Sequence, residues 1–284
     1  MTEIPFTPLS SAQGDLRYEY GPDSFAREGT PSGTTTELRI DGSSAYPGTR
    51  RRVWVHVPAG VDPAAPAPVM VFNDGWWYLD PNGDVRGGIV LDNLVRSGAI
   101  PPLIGVFVDP GVFDPPHEPK NRNREYDAFD ARYADFLTGE VLPRIQERWN
   151  LSSDPRLRGI CGGSSGGNGA VTAAWTRPDA FTRVIAFNSS FAQMPAGNTY
   201  PTLIASEAPK PLRIFMQAAH RDLNWNRPTN NWLAENLRIA AALAEAGYDF
   251  RLVLGDGGHS PNHGGVILPD ALRWIWRAET RSLE

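Results

Sequence analysis

A chain of 284 residues with 41% hydrophobic and 21% charged content can bury a full core, and one α/β domain is a simpler reading than two small ones. The formal net charge of −5 comes without a basic stripe, which argues against nucleic acid as the main partner. Cys161 is the only cysteine, so no intramolecular disulfide can form, and neither a membrane-spanning apolar run nor a signal-peptide pattern is visible; the expected location is cytoplasmic, although a removed signal would leave the same picture.

Residues 1–34 are rich in Pro, Gly, Ser and Thr and are expected to form an extended lead, with 35–284 as the domain. Residues 35–40 and 51–57 alternate polar with apolar, which predicts an antiparallel strand pair with His56 on a strand face. The continuous apolar run 69–72 predicts a strand buried on both faces, ending in Asn73-Asp74-Gly75-Trp76-Trp77. Helical spacing over 89–95 and a second buried strand at 103–108 then set up strand-helix alternation. The Pro-broken, charged segment 109–127, with His117, Lys120, Arg122 and Arg124, reads as a loop walling a site. A helix is expected over 127–149, kinked or restarted at Pro143. Further strands are predicted at 183–187, 211–217 and 250–254, with helices at 231–246 and 268–277. These elements specify a single α/β domain: a mostly parallel central sheet, helices on both faces, and an antiparallel N-terminal strand pair.

Between 158 and 175 a short apolar strand passes through Gly162-Gly163-Ser164-Ser165-Gly166-Gly167 into a buried helical run. A serine on a strand-to-helix turn with glycine two residues to either side has the form of a nucleophile elbow. Both Ser164 and Ser165 fit this frame. Ser164 is favoured, because Ser165 then supplies a backbone N–H at the helix N-terminus, where an oxyanion would be stabilised. A phosphate cradle would need the Gly-Lys-Ser/Thr ending or G-x-G-x-x-G spacing, and neither is present.

Ligands of open α/β sheets collect at the carboxyl ends of the strands. Ser164, Asp222 and His259 follow such ends in the chain order nucleophile, acid, histidine. A serine hydroxyl needs a base to take its proton, and the base needs a carboxylate to hold its tautomer. His259, in a glycine-flanked loop, is the expected base, with His263 as runner-up; Asp256 lies too near His259 in the chain to be the first choice of acid. His259-x-x-x-His263 with Asp256 is read against a metal site because Pro261 opposes the helix such spacing needs. The second oxyanion donor is expected from the turn after 69–72, at the backbone of Trp76, with Trp76 and Trp77 flooring the cleft. Trp225 is a further candidate for its wall.

The stretches Met70-Val71-Phe72-Asn73-Asp74-Gly75-Trp76, Asn123-Arg124-Glu125-Tyr126-Asp127, Ile160-Cys161-Gly162-Gly163-Ser164-Ser165-Gly166-Gly167 and Gly257-Gly258-His259-Ser260-Pro261-Asn262-His263 together resemble the enterochelin esterase-like branch of the esterase D superfamily. The resemblance implies an α/β-hydrolase fold and a cofactor-free serine triad with the nucleophile at Ser164, acid at Asp222 and base at His259. It also implies an arginine directed at the cleft, matched here by Arg124. Arg124, Trp77, Trp225 and His263 make up the expected substrate contacts. The function so implied is hydrolysis of a small-molecule carboxylic ester of siderophore, aryl or sugar type through an acyl-enzyme. Acyl transfer to an alcohol on the same fold, and a non-catalytic binding protein on a hydrolase frame, are the alternatives. The additional N-terminal domain of enterochelin esterases proper has no counterpart in the first 45 residues, which leaves the siderophore substrate open.

Overall fold

Amphipathic helices and doubly buried strands can hide their apolar faces only by layering helices over both sides of a sheet. The computed structural model describes residues 16–114 and 121–278. His117, Lys120 and residues 1–15 of the expected lead lie outside the described residues. Strand β1 (Thr34–Asp41) pairs antiparallel with β2 (Thr49–Val57), and β2 pairs antiparallel with β4 (Ile104–Val108). Beyond this pair β3 (Val69–Asn73), β6 (Arg158–Gly163), β7 (Arg183–Phe187), β8 (Arg213–Ala219) and β9 (Asp249–Gly255) run parallel, in the spatial order β1-β2-β4-β3-β6-β7-β8-β9. The short β5 (Val112–Phe113) adds to β2. This is the mostly parallel sheet with an antiparallel N-terminal pair that the hydrophobic pattern predicts. The unbroken apolar runs β3 and β4 are buried at every residue, whereas edge strand β1 alternates between half-buried and exposed along most of its length.

One face is covered by α1 (Gly75–Leu79), α2 (Gly87–Arg96) and α9 (Pro261–Ile275), whose Leu91, Leu94, Leu268 and Leu272 pack with Phe72 and Phe107. The other face carries α4 (Arg132–Phe136), α5 (Leu142–Gln146), α6 (Ser165–Thr176), α7 (Tyr200–Ser206) and α8 (Trp232–Glu245), packed around Phe136, Ile160, Phe181 and Tyr200.

Three elements differ from expectation. The helix predicted over 127–149 starts at Arg132 and passes through a π-helical turn, Leu137–Val141, just ahead of Pro143. A widened turn accommodates a proline that has no N–H to give the helix ladder. The segment read as loop contains a helix, α3 (Asn121–Tyr126). The closing helix begins at Pro261 instead of 268, because Ser260 caps it, accepting from the Asn262 N–H at 3.3 Å, and proline in the first turn sacrifices no hydrogen bond.

Candidate active site

At the end of β6 the backbone turns sharply through Ser164, with φ 58° and ψ −128°, and enters α6 at once. A non-glycine residue is held in this region only where its surroundings determine it. Here the Ser164 N–H donates to the Phe187 carbonyl at 2.8 Å, and its carbonyl accepts from Ser190 N at 3.2 Å. A Cβ at Gly162 would lie 2.2 Å from the Gly166 carbonyl oxygen, so strand and helix meet only without a side chain there. That contact falls two residues to either side of Ser164. Ser165 turns inward, 1% exposed, and its hydroxyl donates to Asp127 Oδ2 at 2.9 Å. Asp127 also accepts from Asn123 at 3.0 Å and from Asn168 and Ser190. A buried carboxylate thus occupies the Ser165 hydroxyl, leaving its backbone at the N-terminus of α6; the same role places Asp127 in the junction ahead of α4.

Ser164 Oγ lies 3.1 Å from His259 Nε2, and His259 Nδ1 lies 2.6 Å from Asp222 Oδ1. Asp222 follows β8, is 1% exposed, and also accepts the Leu223 N–H at 2.7 Å. A proton on Nδ1 directed at this carboxylate leaves Nε2 bare toward the serine. The edge of buried Trp232 packs on the His259 ring, centroids 4.8 Å apart at 78°. From beneath, Gln217 donates to Asn188 Oδ1 at 3.0 Å and Asn188 donates to the Ser260 carbonyl at 3.3 Å, supporting the histidine loop. Trp232, Asn188 and Gln217 carried no signal in sequence, since their roles depend on which strand ends the topology makes neighbours.

Ser164 and His259 open into a cleft of about 370 Å³ whose walls include Trp77, Tyr78, Val85 and Phe187. Its cation is Arg122, which donates through Nε and Nη2 to both oxygens of Asp74 at 2.5 and 2.7 Å and through Nη2 to the Gly163 carbonyl at 3.3 Å. Burial works against the Arg122 charge; the Asp74 pair outweighs it and raises the guanidinium above its usual range. Asp74, with φ 58°, follows β3, and the neighbouring Asn73 donates to the Gly166 carbonyl at 2.7 Å, tying this turn to the elbow.

The structure places Trp77 on the cleft but moves other expected contacts away from it. Arg124, two residues beyond Arg122 on α3, is exposed and outside the cleft wall. The Trp76 N–H donates to Asp109 Oδ1 at 3.0 Å, and its ring leans on Trp54 at 5.6 Å, so this amide is engaged away from the serine. Trp225 packs over His220 and Arg221 outside the cleft wall. His263 is buried in the first turn of α9, stacked on Tyr18 at 4.3 Å, with Gln217 3.1 Å from its Nδ1; burial pushes its pKa down. A second cavity of about 390 Å³ beside β2 is lined by Arg39, Arg50, Arg52 and Asp109. Arg50 and Arg52 face Asp114 and Asp109 at 2.7 and 3.0 Å there, and its lining holds no serine or histidine. Among the described residues no group of three or more His, Cys, Asp or Glu side chains converges as a metal site, and no helix is long and apolar enough to cross a membrane.

The family described as "Putative esterase" matches residues 44–264. The chain is 24% identical over 253 residues to an iron(III) enterobactin esterase of Dickeya dadantii, covering 83% of this chain and 54% of that protein. It is 31% identical over 114 residues to the uncharacterized protein YbbA of Bacillus subtilis, covering 35% of this chain and 45% of that one. The chain therefore spans about half the length of the curated relatives it matches. Among solved structures, the Shigella flexneri enterobactin esterase determined in the presence of enterobactin superposes with a TM-score of 0.73 at 20% identity, covering 95% of this chain and 64% of that one. A ferulic acid esterase superposes with a TM-score of 0.67 at 19% identity, covering 87% and 99%. At such identities the structural likeness speaks for a shared α/β-hydrolase fold. The match through residues 44–264 identifies the lineage: the chain belongs to the esterase family.

Proposed function

We propose that the chain is a serine carboxylic ester hydrolase in which Ser164 is the nucleophile, His259 the general base and Asp222 the carboxylate that orients it. The observation that carries this reading is the unbroken relay from Ser164 Oγ through His259 to buried Asp222 at the mouth of an apolar cleft. Ser164 attacks the ester carbonyl while His259 Nε2 takes its proton; Asp222 stabilises the imidazolium, which then protonates the leaving alcohol. Water, deprotonated by the same histidine, releases the acid from the acyl-enzyme. The Ser165 N–H at the N-terminus of α6 is one oxyanion donor, favoured by the helix dipole. With the Trp76 N–H held by Asp109, the second donor is left to another amide of the turn between Asp74 and Trp77.

Aromatic and aliphatic walls with a single paired cation suit an ester whose acid is a flat aryl group bearing polar substituents. The neighbours named for ferulic acid and enterobactin fit this class. Ser164→Ala is expected to abolish turnover of p-nitrophenyl acetate and labelling by a fluorophosphonate probe; retained turnover would reject the assignment. Hydrolysis of aryl esters in preference to alkyl esters of similar size, measured by kcat/KM across a panel, tests the substrate class.

A further inference from the structure

Between β9 and α9 the chain makes a short loop, Asp256 to Ser260, which carries His259 and leads into the first turn of α9 at Asn262. Its inner side is held by the sheet: Arg221 N donates to the Gly257 carbonyl at 2.9 Å, and Asn188 donates to the Ser260 carbonyl. Its outer side is held by the lead segment, and by one residue of it above all. At one end the Tyr18 hydroxyl accepts from the Asp256 N–H at 2.7 Å and donates to the Asp256 carbonyl at 3.2 Å. At the other end the Tyr18 N–H donates to Asn262 Oδ1 at 2.7 Å, and Asn262 Nδ2 donates back to the Tyr18 carbonyl at 3.2 Å. Between these anchors the Tyr18 ring stacks on His263, and Leu16 lies over Gly257, whose φ of +89° favours glycine.

We infer that Tyr18 is a positioning residue for His259. The hydroxyl fixes the entry to the loop, the backbone and Asn262 fix its exit, and the imidazole between them is thereby kept at hydrogen-bonding distance from both Ser164 and Asp222. The inference rests on the assignment of these three residues as the catalytic relay. Proton transfer depends steeply on such placement, since small displacements of a catalytic group cost large factors in rate. Tyr18 does not line the cleft, so loosening it lowers kcat and leaves KM unchanged.

Tyr20 provides the control. It belongs to the same segment, and its hydroxyl donates to the Asp84 carbonyl at 2.8 Å, away from the histidine loop. In the full chain, Tyr18→Phe is expected to lower kcat for p-nitrophenyl acetate about ten-fold, with KM unchanged, while Tyr20→Phe retains wild-type kcat. The low-field proton resonance of the His259 Nδ1–H···Asp222 bond should broaden in Tyr18→Phe and stay sharp in Tyr20→Phe. Asn262→Ser, which cuts the exit anchor, should give the same pattern if Tyr18→Phe folds poorly. Wild-type kcat with a sharp resonance in Tyr18→Phe, or equal losses in the two tyrosine variants, would overturn the inference. Failure of the esterase reading is told apart because it shows in the wild-type chain, and the resonance is recorded without substrate.

Discussion

His263 and His259 lie four residues apart, yet one stands at the mouth of the cleft and the other is sealed under Tyr18. Burial disfavours the charged imidazole of His263, with Asp256 acting weakly the other way, so its pKa in the folded chain lies below the unfolded value near 6.5. The unfolded chain therefore binds this proton more readily than the folded one. Stability is fully present above about pH 6.5 and declines as pH falls from there toward the folded pKa. His263→Gln should reduce this decline; urea midpoints of the two proteins at pH 7.5 and pH 5 measure it. That Ser164, Asp222 and His259 come together was legible in sequence because an elbow is a local pattern and because strand ends mark where polar groups gather. Arg122 is legible in sequence only as one charge of a loop, while Arg124 comes from the resemblance; residues two apart on a helix face different ways, and α3 carries Arg122 to Asp74 and leaves Arg124 exposed. His263 sits inside a helix and not in the expected loop because Pro261, at the first helical position, starts α9.

Helix α3 is short, and a buried ion pair anchors it. Arg51 of β2 donates through Nη1 and Nη2 to the two carboxylate oxygens of Glu125 at 2.8 and 2.7 Å, with both side chains fully buried and the guanidinium 4.1 Å above the Phe136 ring. Burial opposes the Arg51 charge, but the hydrogen-bonded Glu125 outweighs it and raises the guanidinium pKa. Asn121 and the Gly111 N–H complete the shell of Glu125. Glu125→Ala removes the partner of a buried charge and should cost about 3–5 kcal/mol in urea unfolding. Because α3 also carries Arg122 to Asp74, the variant should lose activity at temperatures where it is still folded. A pairing across 74 positions leaves no trace in local periodicity, which is why neither α3 nor its anchor could be read from the sequence.

At the scale of the whole molecule, parallel pairing from β3 through β9 points five strand ends the same way. Residues as distant in sequence as Asp74, Ser164, Asn188, Asp222 and His259 thus gather along one edge of the sheet. Strand identity was legible because doubly buried strands are apolar at each position. Strand order was not, since hydrophobicity does not say which buried strand lies beside which. Ser164 is consequently built on the central strand of the molecule, and three residues before it on that strand sits Cys161, fully buried, its thiol pushed up in pKa by burial. A thiol in that position is a clock for the sheet: a disulfide reagent can reach it only when β6 parts from its neighbours. Its rate of modification in the native chain should be vanishingly slow, should rise in step with loss of the folded state in urea, and should fall further once Ser164 is acylated by a slowly released ester that fills the cleft. Labelling in native buffer as fast as in the unfolded chain would show instead that the strand leading to Ser164 opens locally, so the protein's single sulfhydryl reports on the rigidity of the scaffold that its neighbour depends on.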